Sequence, residues 1–434
     1  MLGLRAERAG EVDLFDLHRR NPDRYPFLLQ SVAGHPVSGR YDLLFAFPGD
    51  TISGDGFFER LSAAHAAQPL LRNEHADLPF VGGWFLLLGY EATRQIEPRL
   101  MLPPSPYRLP ETLAVRCSAV LIFDREKNLT TLYAESDESQ LSTMLDDLAS
   151  PPPAAELAPD IGTAVEDDAA TYLAGVQRIL DYLHAGDIFQ ANLSRAWRAP
   201  LRGGSAASVY ARLRGANPAP FAGIAQWQGS SVISSSPERL LRVENGMAET
   251  RPIAGTRPRG LSVDDDAQLR AQLIGNLKER AEHVMLIDLE RNDLGRVCEP
   301  GSVVVSELMT VESYAHVHHI VSNIRGRLRA DAGPVEALRA VFPGGTITGC
   351  PKVRSMEILA ELEGVGRGPY TGAMGYLSRC GRLDTNILIR SFVVEDGEIS
   401  FRAGAGIVAD SDPQAELMET RAKARGLLLA LGAA

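Results

Sequence analysis

The chain has 434 residues, 45% hydrophobic and 23% charged, so it can bury a large core and reads as an ordinary globular protein of two or three domains. A formal net charge of -11 argues against a nucleic-acid partner, which asks for a basic face; a bound anion must instead meet locally gathered Arg and Lys or a metal. No apolar run is long enough to span a membrane and the first residues have no apolar signal core, so a cytoplasmic location is expected.

Residues 1–149 read as mixed strands and short helices. Tyr41-Asp-Leu-Leu-Phe-Ala-Phe is strand-like, and Val81 to Tyr90 looks like a buried strand entered through glycines. Ala119 to Asp124 and Thr130 to Ala134 predict a hairpin. Residues 150–168, beginning Ser150-Pro-Pro-Pro, read as a proline-rich linker to a larger domain over 169–434.

That second domain opens on a helix whose apolar face carries Tyr172, Val176, Ile179, Leu180 and Leu183 and which Gly186 ends. Strands follow around an Asn245-Gly246 turn, the strongest short hairpin signal in the chain. Arg251-Pro-Ile-Ala-Gly-Thr-Arg-Pro-Arg-Gly260 predicts a stiff basic loop, suited to a carboxylate or phosphate if it is more than a surface turn. One long helix is expected from Asp264-Asp-Asp through Leu269, Leu273 and Leu277. Further on come strands around Asp396-Gly397 and a last helix from about Pro413.

Two Glu-x-x-Glu pairs, Glu279 with Glu282 and Glu416 with Glu419, place both carboxylates of each pair on one helical side. Each pair alone suits a solvated helix face; two facing each other would make an oxygen-only nest for Mg²⁺. Gly344 and Gly349 lack the Lys-Ser/Thr that a P-loop needs, and Gly404-Ala405-Gly406 is a lone G-x-G between a strand and the last helix. Of His316, His318 and His319, a single acid/base residue is plausible and a metal cluster is not. Glu238, after a buried-looking strand, could have a raised pKa and act as a general acid, or simply pair with Arg239.

Five segments in order, Asp187-Ile-Phe-Gln-Ala-Asn, Pro252-Ile-Ala-Gly-Thr-Arg-Pro, Asp288-Leu-Glu-Arg-Asn-Asp-Leu-Gly-Arg, Thr348-Gly-Cys-Pro-Lys and Gly404-Ala-Gly-Ile, closely resemble the chorismate-utilising enzymes. That family includes anthranilate synthase component I, aminodeoxychorismate synthase component I, and the isochorismate and salicylate synthases. The resemblance implies an α/β fold of two antiparallel sheets packed together with helices outside. It implies Mg²⁺ on Glu282 and Glu419, with Glu279 and Glu416 completing the shell. Arg390, Tyr370 and the amides of Gly404, Ala405 and Gly406 would hold the enolpyruvyl carboxylate. Gly255, Thr256, Thr346 and Lys423 would line the substrate, Glu238 would protonate the departing 4-hydroxyl, and His319 would be the active-site histidine.

Gln190 stands where the water-using members carry a lysine base, which points to amination by ammonia. Ala254 replaces the lysine that forms a covalent adduct in many aminodeoxychorismate synthases, and Pro-Ile-Ala-Gly-Thr is typical of anthranilate synthase. Against that, Phe342-Pro-Gly-Gly-Thr, Tyr41-Asp-Leu-Leu-Phe-Ala, Asp384-Thr-Asn-Ile and Gln30, where tryptophan-regulated enzymes carry glutamate, look like the aminodeoxychorismate branch. The balance favours aminodeoxychorismate synthase component I, making 4-amino-4-deoxychorismate for p-aminobenzoate and folate through a non-covalent intermediate. Anthranilate synthase component I is the alternative, and a non-catalytic chorismate-binding scaffold a more distant one. No cysteine lies in a Gly-x-Cys-x-Gly elbow, so the ammonia is expected from a glutamine amidotransferase partner.

Overall fold

Strands Tyr41–Ser53 and Thr112–Asp124 are 13 residues each, pair antiparallel, and serve both halves of the sheet system. The computed structural model describes residues 3–33, 39–68, 75–150, 158–260, 262–313 and 317–433, without the side chains of Thr256, Pro258 and Lys278. From the 41–46 end the pairing runs outward through Phe27–Gln30, Phe221–Trp227, Ser230–Ser236, Ser391–Glu395 and Glu398–Ile407 to Gln190–Gly203. From residues 112–117 it runs the other way through Gly83–Leu88, Ala373–Ser378, Leu383–Ile387, Arg239–Glu244 and Met247–Thr250 to Val317–Arg327. Every one of these pairings is antiparallel.

The inner faces of the two arms meet in a core holding Phe27, Phe45 and Val232 from one side and Phe85, Leu87 and Met374 from the other. The Phe27 and Phe85 rings stack with centroids 3.9 Å apart. Helices Leu14–Arg20, Ala206–Ala216 and Pro413–Leu431 cover the outside of the first arm. Helices Phe57–Ala66, Leu277–Gly295 and Pro334–Val341 cover the second. The expected fold is therefore found: an antiparallel sandwich with helices outside. Strands from before residue 150 pair with strands from after residue 168, as in Phe27–Gln30 with Phe221–Trp227. Of the proline-rich stretch, residues 151–157 lie outside the described residues, while Asp160–Ile161 and Val165–Glu166 pair with Gln190–Gly203.

Local signals with a strict period or turn chemistry read correctly. Asn245-Gly246 and Asp396-Gly397 each have φ positive at both residues (52° and 73°, 50° and 74°), as a two-residue type I′ hairpin turn requires. Helix Ala169–His184 buries Tyr172, Val176, Ile179 and Leu180, and Gly186 follows with φ 80°.

Three expectations need correction. The single long helix is two, Val263–Gly275 and Leu277–Gly295, because Asn276 turns extended (φ -74°, ψ 107°) and Leu277 opens the second. The 251–260 stretch is not a surface loop: Ile253–Pro258 is a strand paired with Val317–Arg327, bulged between Ala254 and Thr256. The bulge is where Gly255 adopts φ 67°. Gly404 to Gly406 lie inside strand Glu398–Ile407, not in a loop after it. Side chains of strand Gln190–Gly203 cross them so closely that a Cβ on Gly404 would come 2.5 Å from Asn192 Oδ1, and one on Gly406 2.4 Å from Gln190 Nε2.

The 190–203 strand is pinned by a buried ion cluster. Glu363 accepts from Ser194 N at 2.9 Å and Ser194 Oγ at 2.7 Å, and pairs with Arg367 at 2.7 Å, both side chains only 2% exposed. Arg367 also donates to the Asn192 carbonyl at 2.7 Å. Arg367→Met is expected to cost roughly 3 kcal/mol in denaturant unfolding because it removes the nearer of the two cations on buried Glu363 and leaves only Arg402 at 3.4 Å. The triple change Arg367→Met, Arg402→Met and Glu363→Leu, which leaves no member of the cluster charged, should recover much of that loss; no recovery would show that the cluster is not the source of the effect.

Candidate active site

Glu238 sits between strands Ser230–Ser236 and Arg239–Glu244, where Pro237 turns the chain inward. It is 4% exposed. The Ile253 amide donates to its Oε1 at 3.4 Å, and the Thr346 hydroxyl faces it. Burial pushes its pKa up to about 7, more than the neighbouring hydrogen bonds and the charges of Lys423 and Arg390 pull it down. A surface pairing with Arg239 does not occur; Arg239 binds Asp384 at 2.9 Å. A carboxyl raised in this way is suited to donate a proton near neutral pH.

Arg390, half-buried, makes no side-chain hydrogen bond or ion pair among the described residues. It feels the charges of Tyr370, Glu419 and Glu238, and burial draws its pKa down. A fork-shaped cation left without a carboxylate is suited to take one from a ligand. Tyr370 is buried, and its hydroxyl would lie 3.0 Å from a Cβ on Gly404. Lys423 reaches the Gly404 carbonyl at 3.0 Å and pairs with Glu419 at 2.7 Å. Ala405 is paired opposite Leu193 and is fully buried.

His319 lies on strand Val317–Arg327 opposite Thr256, with Nδ1 3.4 Å from the Gly255 carbonyl. Burial lowers its pKa to about 4, so the imidazole is neutral and can accept a proton. His318 is fully buried, hydrogen-bonded to Ser313 and Asp266, which makes it structural. His316 and the Thr256 side chain lie outside the described residues. Gln190 is buried, its Oε1 unpartnered among the described residues and its amide nitrogen against Gly406. Ala254, next to the bulge, offers only a methyl group.

The guanidinium groups of the 251–260 stretch are spoken for. Arg251 pairs with Glu312 at 2.5 Å and Glu307 at 2.7 Å, Arg257 with Glu279 at 2.7 Å, and Arg259 with Asp266 at 2.8 Å. They hold the bulge rather than a ligand. Its contribution to the cleft is Gly255, whose missing Cβ leaves room for Glu279 Oε2 (2.5 Å from where that Cβ would be).

The four candidate metal carboxylates are divided between helix Leu277–Gly295 (Glu279, Glu282) and helix Pro413–Leu431 (Glu416, Glu419). Among the described residues no three acidic, His or Cys side chains converge to hold a metal. Glu416 accepts from Ser411 Oγ at 2.6 Å, and Glu419 is held by Lys423. Their chemistry nevertheless fits Mg²⁺: all donors are oxygen, and Glu279 Oε2 is a buried carboxylate oxygen without a partner among the described residues. Sequence reading gave no role to Asn192, Glu290, Asp293 and Lys352, although all four lie in the motif segments. The signal for two of them was available, since Glu290 and Asp293 repeat the i, i+3 carboxylate spacing on the same helix.

Chain and site together define the class: the sequence matches the chorismate binding enzyme family over residues 25–429, and the chain belongs to it. It is 41% identical to the anthranilate synthase component I-like protein of Synechocystis, over 92% of this chain and 82% of that protein. It is also 41% identical to anthranilate synthase component 1 of Streptomyces coelicolor, over 94% of this chain and 84% of that one. Among solved structures it resembles anthranilate synthase component I of Streptococcus pneumoniae, with a TM-score of 0.80, 30% identity and coverage of 90% and 92%.

These relatives overturn the aminodeoxychorismate reading. The structure shows why the motifs behind it misled: they are packing features. Gly344 packs under Ile387, whose Cδ1 would lie 2.8 Å from a Cβ there. Asp384 pairs with Arg239, Asn386 accepts from the Met374 amide at 3.0 Å, and Gln30 is occupied with Tyr210 and Asp42.

Proposed function

We propose that the chain is the chorismate-aminating component of an anthranilate synthase, converting chorismate and ammonia to anthranilate, pyruvate and water. The support is the 41% identity with the Streptomyces coelicolor anthranilate synthase component 1 over nearly the whole chain, together with Ala254 where a covalent mechanism would need a nucleophile. Arg390 and Tyr370 bind the enolpyruvyl carboxylate, while Gly255, Thr256, Thr346 and Lys423 line the rest of the substrate. Glu282 and Glu419, with Glu279 and Glu416 around them, would hold Mg²⁺, which supplies positive charge against the ring carboxylate. Glu238 gives its proton to the 4-hydroxyl as that group leaves as water, and ammonia adds at C2 beside Gln190, which needs no basicity because ammonia already has its lone pair. Neutral His319 accepts the C2 proton as the enolpyruvyl group departs, and the ring becomes aromatic.

Ammonia comes from a glutamine amidotransferase partner. The thiols here offer no substitute: burial raises the pKa of Cys117 to about 12 and that of Cys298 and Cys350 above the ordinary range, the opposite of a nucleophile. The test is the purified chain with chorismate, Mg²⁺ and excess ammonium. Anthranilate and pyruvate are expected in equal amounts, lost on chelation and regained with Mg²⁺. Accumulation of 4-amino-4-deoxychorismate, or no turnover at all, would overturn the reading.

A further inference from the structure

Glu238 is buried and must be reprotonated in every cycle, so the protein needs a route that brings protons to it. Helix Leu277–Gly295 carries a second buried carboxyl that the mechanism above does not use. Glu290 is 7% exposed, and its Oε2 has no hydrogen-bond partner among the described residues. The buried Thr250 hydroxyl faces it, near enough to pull its pKa down; three residues further along, the Ile253 amide donates to Glu238. Glu290 lies within electrostatic reach of Glu238, Asp293 and Lys352, and burial with those two carboxylates raises its pKa to about 8.

One helical turn on, Asp293 presents its carboxylate on the same face. It is 4% exposed and accepts from Lys352 Nζ at 2.5 Å, while Lys352 also donates to the Val341 carbonyl at 3.1 Å. Asp293 and Lys352 both line a cavity of about 840 Å³ that opens between helices Leu277–Gly295 and Lys352–Glu363, and none of the candidate substrate residues borders it. Asp293 and Lys352 thus stand at the rim of this cavity, and Glu290 is within electrostatic reach of both and of Glu238.

We propose that Glu290 recharges Glu238 with a proton drawn from this rear cavity by way of Asp293 and Lys352. After Glu238 has given its proton to the leaving hydroxyl, the O–H bond of Glu290 breaks as one forms on Glu238. The Glu290 carboxylate then takes a proton from a hydronium or buffer acid at the Asp293–Lys352 rim, and the proton that the nitrogen added at C2 releases to solvent balances it. Glu290 acts through Glu238 and not on the substrate. The inference rests on the reading of Glu238 as the acid, but not on which product leaves.

The experiment follows chorismate consumption by the full chain with Mg²⁺ and ammonium. Glu290→Gln should lower kcat about tenfold with KM for chorismate within roughly twofold. Its alkaline limb should move to lower pH, and small buffer acids such as imidazolium should restore turnover in the variant but not accelerate the wild type. A variant with wild-type kcat and pH profile, or one whose loss no buffer acid restores, would overturn the relay. Should Glu290→Gln not fold, Asp293→Asn decides by the same rescue. Full turnover by Glu238→Gln would instead remove the underlying reading; loss there with an indifferent Glu290→Gln removes only the relay.

Discussion

Glu238→Gln is expected to lower kcat for chorismate by about 10²- to 10⁴-fold while KM stays within a few-fold, because the amide keeps the shape of the carboxyl but has no acidic proton. At fixed free ammonia, wild-type kcat/KM should fall as pH rises through about 7, where the raised pKa of Glu238 puts the loss of its proton. Stability gives an independent check with the opposite sign. A carboxyl whose folded pKa lies above its ordinary value near 4.5 contributes stability that is complete below that value and is lost as pH climbs to about 7. The amide variant does not titrate, so above pH 7 it should be the more stable protein by roughly 3 kcal/mol. A variant that is inactive and also less stable at pH 8 would mean that Glu238 is a structural residue.

The fold was legible where one local rule decided the outcome. The apolar stripe of helix Ala169–His184 and the Asn245-Gly246 and Asp396-Gly397 turns are set by their own residues. Segments decided by distant partners were not legible. Pro252 to Arg259 looked like a loop because it is dense in proline and glycine, yet it is a strand because the Val317–Arg327 backbone and the carboxylates of Glu279, Glu307 and Glu312 draw it in. Gly404 and Gly406 looked like a turn for the same reason; they are glycines because Asn192 and Gln190 pass over them.

The product was misread for a related reason. A motif difference carries functional weight only if its side chain faces the reacting atoms, and sequence does not display that. Gly344, Asp384 and Gln30 are engaged in packing, ion pairing and internal hydrogen bonds, while Ala254, given less weight, lies beside Gly255 and opposite Ile320 next to His319. A basic stretch likewise cannot be assigned to a ligand until its partners are known. All three arginines of 251–260 are internally neutralised, and the cation left over is Arg390, which no charge pattern singled out.

Arg390→Met should raise KM for chorismate by roughly 10- to 100-fold, the worth of a charge-assisted hydrogen-bonded pair, with a smaller effect on kcat. The same change should raise the thermal midpoint. Arg390 holds a positive charge in a half-buried place, without an ion pair among the described residues, and desolvation already draws its pKa down. Its backbone has φ 53°, in the left-handed region, at a cost of about 1–3 kcal/mol for a residue with a long side chain. Both costs oppose folding, and the charges of Tyr370, Glu419 and Glu238 offset only part of the first, as a guanidinium kept for a ligand's carboxylate would show. Arg390→Lys keeps the charge but loses the fork, so its KM should fall between wild type and Met. Arg390→Gly removes both charge and backbone strain, and should bind chorismate most weakly. Melting curves without substrate, set against KM for the same variants, should therefore show affinity falling as the Met and Gly proteins gain stability. If Met and Gly melt lower than wild type, or leave KM unchanged, Arg390 is a structural cation and the carboxylate must be held elsewhere.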